Sequence, residues 1–157
     1  MREGGTRILE LTHVFTAMVD VGAPLDLGPT AAGRRRIVPI LGGTVEGSRL
    51  TASILPGGAD WQIIRADGTA EVVARYTLRA EDGTLISVVN KGLRRGPPEV
   101  LARLAAGEQV DPSLYYFRTS PVFEVGTGPH GWLADNIFVA TGERREKQVV
   151  IRVFMLS

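Results

Sequence analysis

The 157-residue sequence predicts an all-β domain with one short helix, a closed or nearly closed antiparallel barrel of about eight strands. Two observations predict this class. Short segments in which apolar and polar residues alternate recur along the chain, and period two is typical of half-buried strands. Glycine, proline and Asp-Gly signals separate these segments at the short spacing that a barrel or sandwich requires. The length fits a single domain over residues 1–157.

The first part of the chain predicts three strands. Residues 8–21 alternate, and one face carries Leu9, Leu11, His13, Phe15, Ala17 and Val19. Residues 22–33 are rich in glycine and proline and predict a loop. Strands are predicted over 34–41 and 44–55, with a bend or bulge between them at Gly42–Gly43.

A meander over residues 59–91 is the clearest part of the pattern. Asp67–Gly68 and Asp82–Gly83 each lie between alternating segments, and Asp-Gly is a strong hairpin signal because these residues tolerate positive φ. The strand between the two turns, over 70–80, places Tyr76 on its apolar face.

One helix and three more strands complete the prediction. Two prolines precede apolar residues at helical spacing, and Gly107 suits the C-terminal cap, so a helix is predicted between Pro97 and Gly107. Strands follow at about 114–125, 133–141 and 147–156. The last strand is apolar on both faces, which predicts cover by the core on one side and by a helix or a partner subunit on the other. A homodimer or homotrimer is therefore expected.

The composition excludes several classes of protein. With 18 basic and 17 acidic residues the net charge is +1, which provides no field to gather nucleic acid or anionic lipid. The absence of cysteine excludes disulfides and thiolate metal sites. No apolar run approaches the roughly 18 residues that a membrane helix needs. The N-terminus is polar and does not resemble a signal peptide, so we expect a cytoplasmic protein.

No cofactor and no metal is expected. The segment Gly126–Gly131 fits the G-x-G-x-x-G spelling, but a dinucleotide site needs this motif to open a helix in a βαβ unit. Here Pro129 interrupts the motif and a strand-like segment follows, which indicates a hairpin loop. The two histidines, His13 and His130, have no spacing to carboxylates that predicts a metal site.

The segment Gly57–Trp61 contains the first candidate for chemistry. Asp60 stands beside Trp61 after two glycines, and a carboxyl pressed into a semi-apolar cavity has a raised pKa that suits acid–base work near neutrality. The alternative is a turn aspartate beside a core tryptophan. Tyr76 is either a core aromatic or a phenol donor that points into a lumen.

Further candidates come from the arginines, the aromatic residues and one histidine. By alternation only one of Arg34 and Arg35 points inward, and an inward arginine needs a partner such as Asp60 or Glu46. His13 lies on the apolar face of its strand, either as a satisfied core or pocket histidine or as a general acid or base. The remaining candidates, for the mouth of a hydrophobic pocket, are Trp132, Tyr115 and Tyr116.

These residues also carry a resemblance to a known family. The matching blocks are Gly33–Arg35, Pro39–Ile40, Gly42–Gly43, Gly57–Trp61, Asp67–Gly68, Tyr76, Asp82–Gly83, Tyr115–Phe117 and Trp132–Leu133. From about residue 8 onward the chain resembles domain-of-unknown-function family 3237, also called uncharacterised protein family 0311. It departs from the family at Ala134, where asparagine is usual. The resemblance implies a small barrel similar to allene oxide cyclase and dirigent-like barrels, and some members look like cofactor-free cyclases or isomerases.

Three functions are compatible with these observations. The first is a cofactor-independent cyclase or isomerase of a small, largely apolar, oxygenated metabolite, with Asp60 as general acid or base. Tyr76 and Arg34 would donate hydrogen bonds to a carbonyl or oxyanion, and Trp61 and Trp132 would pack the substrate. The second is a non-catalytic barrel that binds a small molecule and has no perturbed carboxyl. The third is an assembly protein whose lumen is filled by side chains.

Overall fold

The computed structural model describes residues 2–3 and 6–157, with side chains from residue 8 onward. Within these residues the chain forms twelve strands, one α-helix and two short 3-10 helices. The strands are β1 (Arg2–Glu3), β2 (Thr6–Arg7), β3 (Leu11–Val21), β4 (Leu25–Thr30), β5 (Gly33–Glu46), β6 (Ala52–Ile54), β7 (Gly58–Ile64), β8 (Ala70–Ala80), β9 (Leu85–Arg95), β10 (Tyr116–Val125), β11 (Ile137–Arg145) and β12 (Gln148–Leu156). The helices are α1 (Pro98–Ala105), η1 (Pro112–Leu114) and η2 (Gly131–Leu133).

Ten of the strands, β3 to β12, form one antiparallel sheet that closes on itself. Around the barrel the neighbouring strands are, in order, β3, β12, β11, β10, β9 and β8. Strand β8 then pairs with both β6 and β7. β6 and β7 both pair with β5, and β5 pairs back with β3, which closes an eight-stranded barrel in which β6 and β7 share one position. β4 pairs beside the first half of β5. The predicted barrel is confirmed.

The meander and its two Asp-Gly turns are confirmed as β7, β8 and β9. In each turn only the glycine has a positive φ, +88° at both Gly68 and Gly83. The aspartate stabilises the turn through its side chain: Thr69 N donates to Asp67 Oδ1 at 2.9 Å, and Thr84 N donates to Asp82 Oδ1 at 3.0 Å.

Two parts of the strand prediction were wrong. The predicted loop over 22–33 contains β4, because the glycines and prolines of this segment outweigh the short Leu25–Leu27 alternation, and both leucines are exposed rather than buried. The two strands predicted over 34–41 and 44–55 are one long strand, β5, followed by the short β6. The glycines at 42 and 43 let β5 bend without ending, and the register with β3 shifts at this point.

A bulge in β3 reverses the predicted orientation of His13. The register between β3 and β12 pairs Phe15 with Val153 but His13 with Phe154, so Val14 is the extra residue. Val14 and Phe15 are both buried, and the residues before them change face. His13 is therefore exposed on the outside of the barrel, where its Nε2 lies 2.9 Å from Thr16 Oγ1.

The two ends of the barrel differ in how they are filled. At one end the interior is packed with aromatic residues, and Phe123 and Phe138 meet edge to face with ring centroids 5.1 Å apart. At the other end α1 packs its buried Val100 and Leu104 against the ends of β8 and β10. Between these two layers the interior is open, and this space contains the candidate site.

Candidate functional site

A cavity of about 420 Å³ occupies the middle of the barrel. Its walls are mainly apolar, and its mouth lies between the loop at 22–24 and the β11–β12 turn at Glu146 and Lys147. The apolar wall residues include Val19, Val38, Ile40, Val72, Val149 and Ile151. This volume lies in the range of small-molecule pockets.

The register of β7, β8 and β9 places polar groups at one height in this cavity. Asp60 pairs with Ala74 across β7 and β8, and Ala74 pairs with Asn90 across β8 and β9. Because side chains alternate along a strand, all three point into the lumen together with Tyr76. The small side chain of Ala74 leaves space between the carboxyl of Asp60 and the amide of Asn90.

Asp60 is held in a fixed orientation by two hydrogen bonds. Gln62 Nε2 donates to its Oδ2 at 2.7 Å, and the backbone N–H of Val73 donates to its Oδ1 at 3.0 Å. The β7–β8 ladder has no pairing between Asp60 and Ile63, so the carboxylate occupies a gap in the ladder. Burial raises the pKa of Asp60, and the two hydrogen bonds oppose that rise only in part.

Two glycines before Asp60 determine how close it comes to Tyr76. Gly57 has a φ of +104°, which favours glycine, and it turns the chain into β7. Gly58 lies against β8, where a Cβ would be 2.5 Å from the Arg75 carbonyl oxygen and 2.7 Å from Tyr76 Cβ. The motif therefore allows β7 to approach β8 closely beside Tyr76.

Tyr76 lines the cavity and keeps its proton. Its side chain is 9% exposed, and among the described residues its hydroxyl makes no hydrogen bond. Burial, and then the charge of Asp60, raises the pKa of Tyr76. The group is thus a hydrogen-bond donor in the lumen at neutral pH.

Three arginines, Arg36, Arg94 and Arg144, meet at the α1 end of the cavity. Arg94 is 7% exposed, lies beside the ring of Phe117 at 5.7 Å, and lines the cavity together with Arg144. Arg36 Nη2 donates to Gln62 Oε1 at 3.2 Å. A chain of contacts thus runs from Arg36 through Gln62 to Asp60. Burial, followed by the charges of Arg144 and Arg36, lowers the pKa of Arg94 to about 10, so it remains charged at neutral pH.

Of the residues predicted from the sequence, the structure brings Asp60 and Tyr76 together in the lumen. Arg34 is on the same face of β5 as Arg36 but lies at the rim, where its Nη2 is 2.6 Å from Asp26 Oδ2. Arg35 points away and its Nη1 reaches the Trp61 carbonyl oxygen at 3.5 Å.

The predicted ligand-contact residues lie elsewhere. Trp61 follows Asp60 directly, so alternation turns it outward, where it is 44% exposed. Tyr116 is also exposed, with the guanidinium of Arg95 4.3 Å from its ring centre. Trp132 packs on Phe138 at the filled end of the barrel. Glu46, the other partner suggested for an inward arginine and a candidate for ligand contact, is exposed at the end of β5, and His13 is outside the barrel as described above.

Sequence reasoning missed five polar lumen residues, namely Gln62, Asn90, Arg94, Thr119 and Arg144. A signal for two of them exists in β9, where Asn90 and Arg94 continue the face that begins with the buried Ile86 and Val88. A polar residue on an apolar face is unusual enough to mark a site. Arg144 gives no such signal, because Gly142 precedes it on that face.

Neither a metal cluster nor a membrane-spanning helix is found in the part of the chain that the structure describes. Within residues 2–3 and 6–157, no three histidine or carboxylate side chains group in a way that could hold a metal ion. In the same residues, no helix has both the length and the apolar character needed to cross a membrane.

Comparison with known proteins identifies the family. The model of the family "Protein of unknown function (DUF3237)" matches residues 9–156. A UPF0311 protein from Rhodopseudomonas palustris (strain TIE-1) is 43% identical over 148 residues, 94% of this chain and 97% of that protein.

Solved structures show the same barrel. A conserved protein of unknown function from Rhodopseudomonas palustris superimposes with a TM-score of 0.91 at 41% identity, over 97% of this chain and 99% of the other. A beta-barrel like protein from Acinetobacter baumannii AYE gives 0.85 at 39% identity, over 99% and 100%. An enzyme from Penicillium herquei shares the fold with a TM-score of 0.72 at 17% identity, over 98% and 99%. The family match covers nearly the whole chain, and the protein therefore belongs to the DUF3237 family.

Proposed function

We propose that the protein is a cofactor-independent isomerase or cyclase that acts on a small, largely apolar, oxygenated metabolite in the barrel lumen. The observation that carries the proposal is the position of Asp60: it is a carboxyl with a raised pKa on the wall of a mainly apolar cavity of about 420 Å³. An acid or base with a pKa nearer the working pH transfers protons more effectively. The enzyme from Penicillium herquei supports the idea that this fold can carry catalysis.

The chemistry would be a proton transfer next to a carbonyl group. Asp60, as the carboxylate, removes a proton from the carbon beside the carbonyl, and the electron pair moves onto the carbonyl oxygen. Tyr76 donates a hydrogen bond to that oxygen, and Arg94 lies close enough for its charge to act on Asp60. Asp60 then returns the proton at a different atom, so the product is an isomer of the substrate. In a ring closure, Asp60 would remove the proton of a hydroxyl as its oxygen attacks the carbonyl carbon, and would return that proton to the carbonyl oxygen, to which Tyr76 donates a hydrogen bond.

Arg94 takes the place that sequence reasoning assigned to Arg34. The guanidinium of Arg34 is engaged by Asp26 at the rim, whereas Arg94 lines the cavity. The nearest competing function is a non-catalytic binding barrel, which would use the same cavity without proton transfer. The open lumen favours these two functions over an assembly role, because an assembly barrel is expected to be filled by side chains.

Proton exchange tests the proposal even while the product is unidentified. Wild-type protein, Asp60→Asn and the control Asp135→Asn are each incubated in D₂O with a panel of cyclic and open-chain ketones. Asp135 is exposed and far in sequence from the lumen strands β7 to β9. Loss of hydrogen at the carbon beside the carbonyl is followed by NMR.

For at least one ketone we expect exchange with wild type and Asp135→Asn, and a rate about 10²- to 10⁴-fold lower with Asp60→Asn. Binding with no exchange by any of the three proteins would replace the enzyme proposal by the binding barrel. Equal exchange by wild type and Asp60→Asn would remove Asp60 from the mechanism.

A further inference from the structure

The charges around the lumen are unbalanced, and the proton transfer described above uses only part of the positive charge, that of Arg94. Arg36, Arg94 and Arg144 meet at the α1 end of the cavity, and the carboxyl that faces them is Asp60. Both oxygens of Asp60 already accept hydrogen bonds, from Gln62 and from the Val73 backbone. Even with Asp60 ionised, the group carries an excess of positive charge.

Arg94 bears most of the energetic cost of this imbalance, because only 7% of the residue is exposed to solvent. Across residues 8–157, no carboxylate oxygen lies within 4.0 Å of its guanidinium, and it donates no hydrogen bond to a protein acceptor. A buried charge without a counter-charge is costly. The guanidinium lines the cavity, so a ligand in the lumen can reach it.

The nearby acidic residues do not supply the missing charge. Asp26 is bound by Arg34 at 2.6 Å, and Glu143 by Arg145 at 2.7 Å. Glu146 lines the mouth of the cavity but makes no ion pair within the part of the chain that the structure describes.

Two further groups on the same wall of the cavity as Arg94 also lack a protein partner, since Thr119 pairs with Gly92, which lies between Asn90 and Arg94 on one face of β9. The buried Asn90 Oδ1 and Thr119 Oγ1 make no hydrogen bond with the described residues, and both side chains line the cavity. A guanidinium, a hydroxyl and an amide on one wall of a cavity can together bind an anionic oxygen group and an adjacent hydroxyl or water. The opposite wall, with Val19, Val38 and other aliphatic residues, is apolar.

We propose that the lumen binds a monocarboxylate with an apolar body, whose carboxylate lies against Arg94 and whose body lies against the aliphatic wall. The planar guanidinium offers parallel N–H donors that match a carboxylate. The inference rests on the proposed function for the location of the site, and it narrows the substrate to a keto acid or a related acid.

Matched probes test the proposal by calorimetry. Cyclohexanecarboxylate, its neutral amide cyclohexanecarboxamide and cyclohexylphosphonate are titrated into wild type, Arg94→Met and the control Arg103→Met. Arg103 is exposed on α1, where its Nε lies 3.6 Å from Glu108 Oε1. Methionine keeps much of the length and apolar stem of arginine and removes the charge.

Wild type and Arg103→Met are expected to bind the carboxylate about 10- to 100-fold more tightly than the amide, as charge-assisted hydrogen bonds allow. Arg94→Met is expected to bind both with similar affinity and to unfold at the same or a higher temperature, because an unpaired buried charge is gone. A purely structural arginine would instead lower the unfolding temperature on removal.

The other possible results would each overturn a different part of the proposal. If wild type binds acid and amide equally, or Arg94→Met keeps the preference for the acid, the carboxylate inference is wrong while the lumen remains a ligand site. Tighter binding of the phosphonate than of the carboxylate overturns the choice of a monocarboxylate. If wild type binds none of the three probes, while ketones still exchange in the D₂O experiment, the inference fails and the proposed function stands.

Discussion

Filling the lumen should stabilise the protein, and this is a direct test of whether the barrel is open at Asp60. Ala74 lines the cavity and is the register partner of both Asp60 and Asn90. Leucine adds three carbons to alanine, worth up to about 2.4 kcal/mol at about 0.8 kcal/mol per buried CH₂. Ordering the longer side chain costs about 0.5–1 kcal/mol. Since part of the leucine would still face the open cavity, we expect Ala74→Leu to raise the free energy of unfolding by about 1 kcal/mol.

The matched control is Ala17→Leu in the filled part of the barrel. Ala17 is 2% exposed, belongs to the packed core, and lies between Val45 and Ile151 in the sheet. Ala17 does not line the cavity, so an added side chain there is expected to overpack the core at a cost of about 1–3 kcal/mol. The two variants should therefore shift stability in opposite directions.

Urea unfolding followed by tryptophan fluorescence, with thermal unfolding in parallel, measures both variants. For a chain of this size each kcal/mol corresponds to about 2–4 °C in Tm. Ala74→Leu should also weaken binding of cyclohexanecarboxylate, because the leucine occupies ligand space. If Ala74→Leu loses as much stability as Ala17→Leu, the lumen beside Asp60 is as tightly packed as the core, and the reasoning about a ligand site is refuted.

Two further predictions concern the motif before Tyr76 and the titration of Asp60. Gly58→Ala should lower the free energy of unfolding by about 1–3 kcal/mol, because its Cβ would overlap the backbone at the Arg75 carbonyl. The control Gly126→Ala has open space around its Cβ and should change the free energy of unfolding by less than about 0.5 kcal/mol. Equal effects of the two variants in urea unfolding would contradict the close approach of β7 to β8. Because the folded-state pKa of Asp60 is raised above the ordinary aspartate value of 3.8, its ionisation opposes folding: this cost is absent below the unfolded pKa and complete above the folded pKa. The stability of Asp60→Asn relative to wild type should therefore rise with pH through that interval and then level off, and a flat or falling difference in unfolding free energy would show that the pKa is not raised.

Much of the barrel could be predicted because its signals are local. The Asp-Gly turns depend on residues that are adjacent in sequence, and so does the alternation of β8, which put Tyr76 on the inner face. The prediction failed where alternation was absent or interrupted. β4 buries neither face and is rich in glycine and proline, and a single extra residue at Val14 was enough to turn His13 from the inside to the outside of the barrel.

The candidate site was predictable only in part for a similar reason. Asp60 stands out because two glycines and a tryptophan surround it in the sequence, but the tryptophan itself faces outward. Arg94 and Asn90 lie 30 or more residues from Asp60, and they come near it only because β8 joins β7 to β9 in one register. Which of Arg34, Arg35 and Arg36 reaches the lumen groups could not be predicted either, because it depends on how far β5 extends beyond the cavity. Arg34 lies at the rim and Arg36 contacts Gln62.

The fold class, the meander, the position of the helix and the family could all be predicted from the chain alone, because they follow from local periodicity, turn chemistry and motif spacing. The three-dimensional fold was needed to show that the barrel interior is open, that Asp60 and Tyr76 both line it, and that Arg94 rather than Arg34 lines it with them. A cavity and an unpaired charge depend on the space that several strands enclose together. The register and the bulges of those strands set that space, and neither can be read from one segment of the chain.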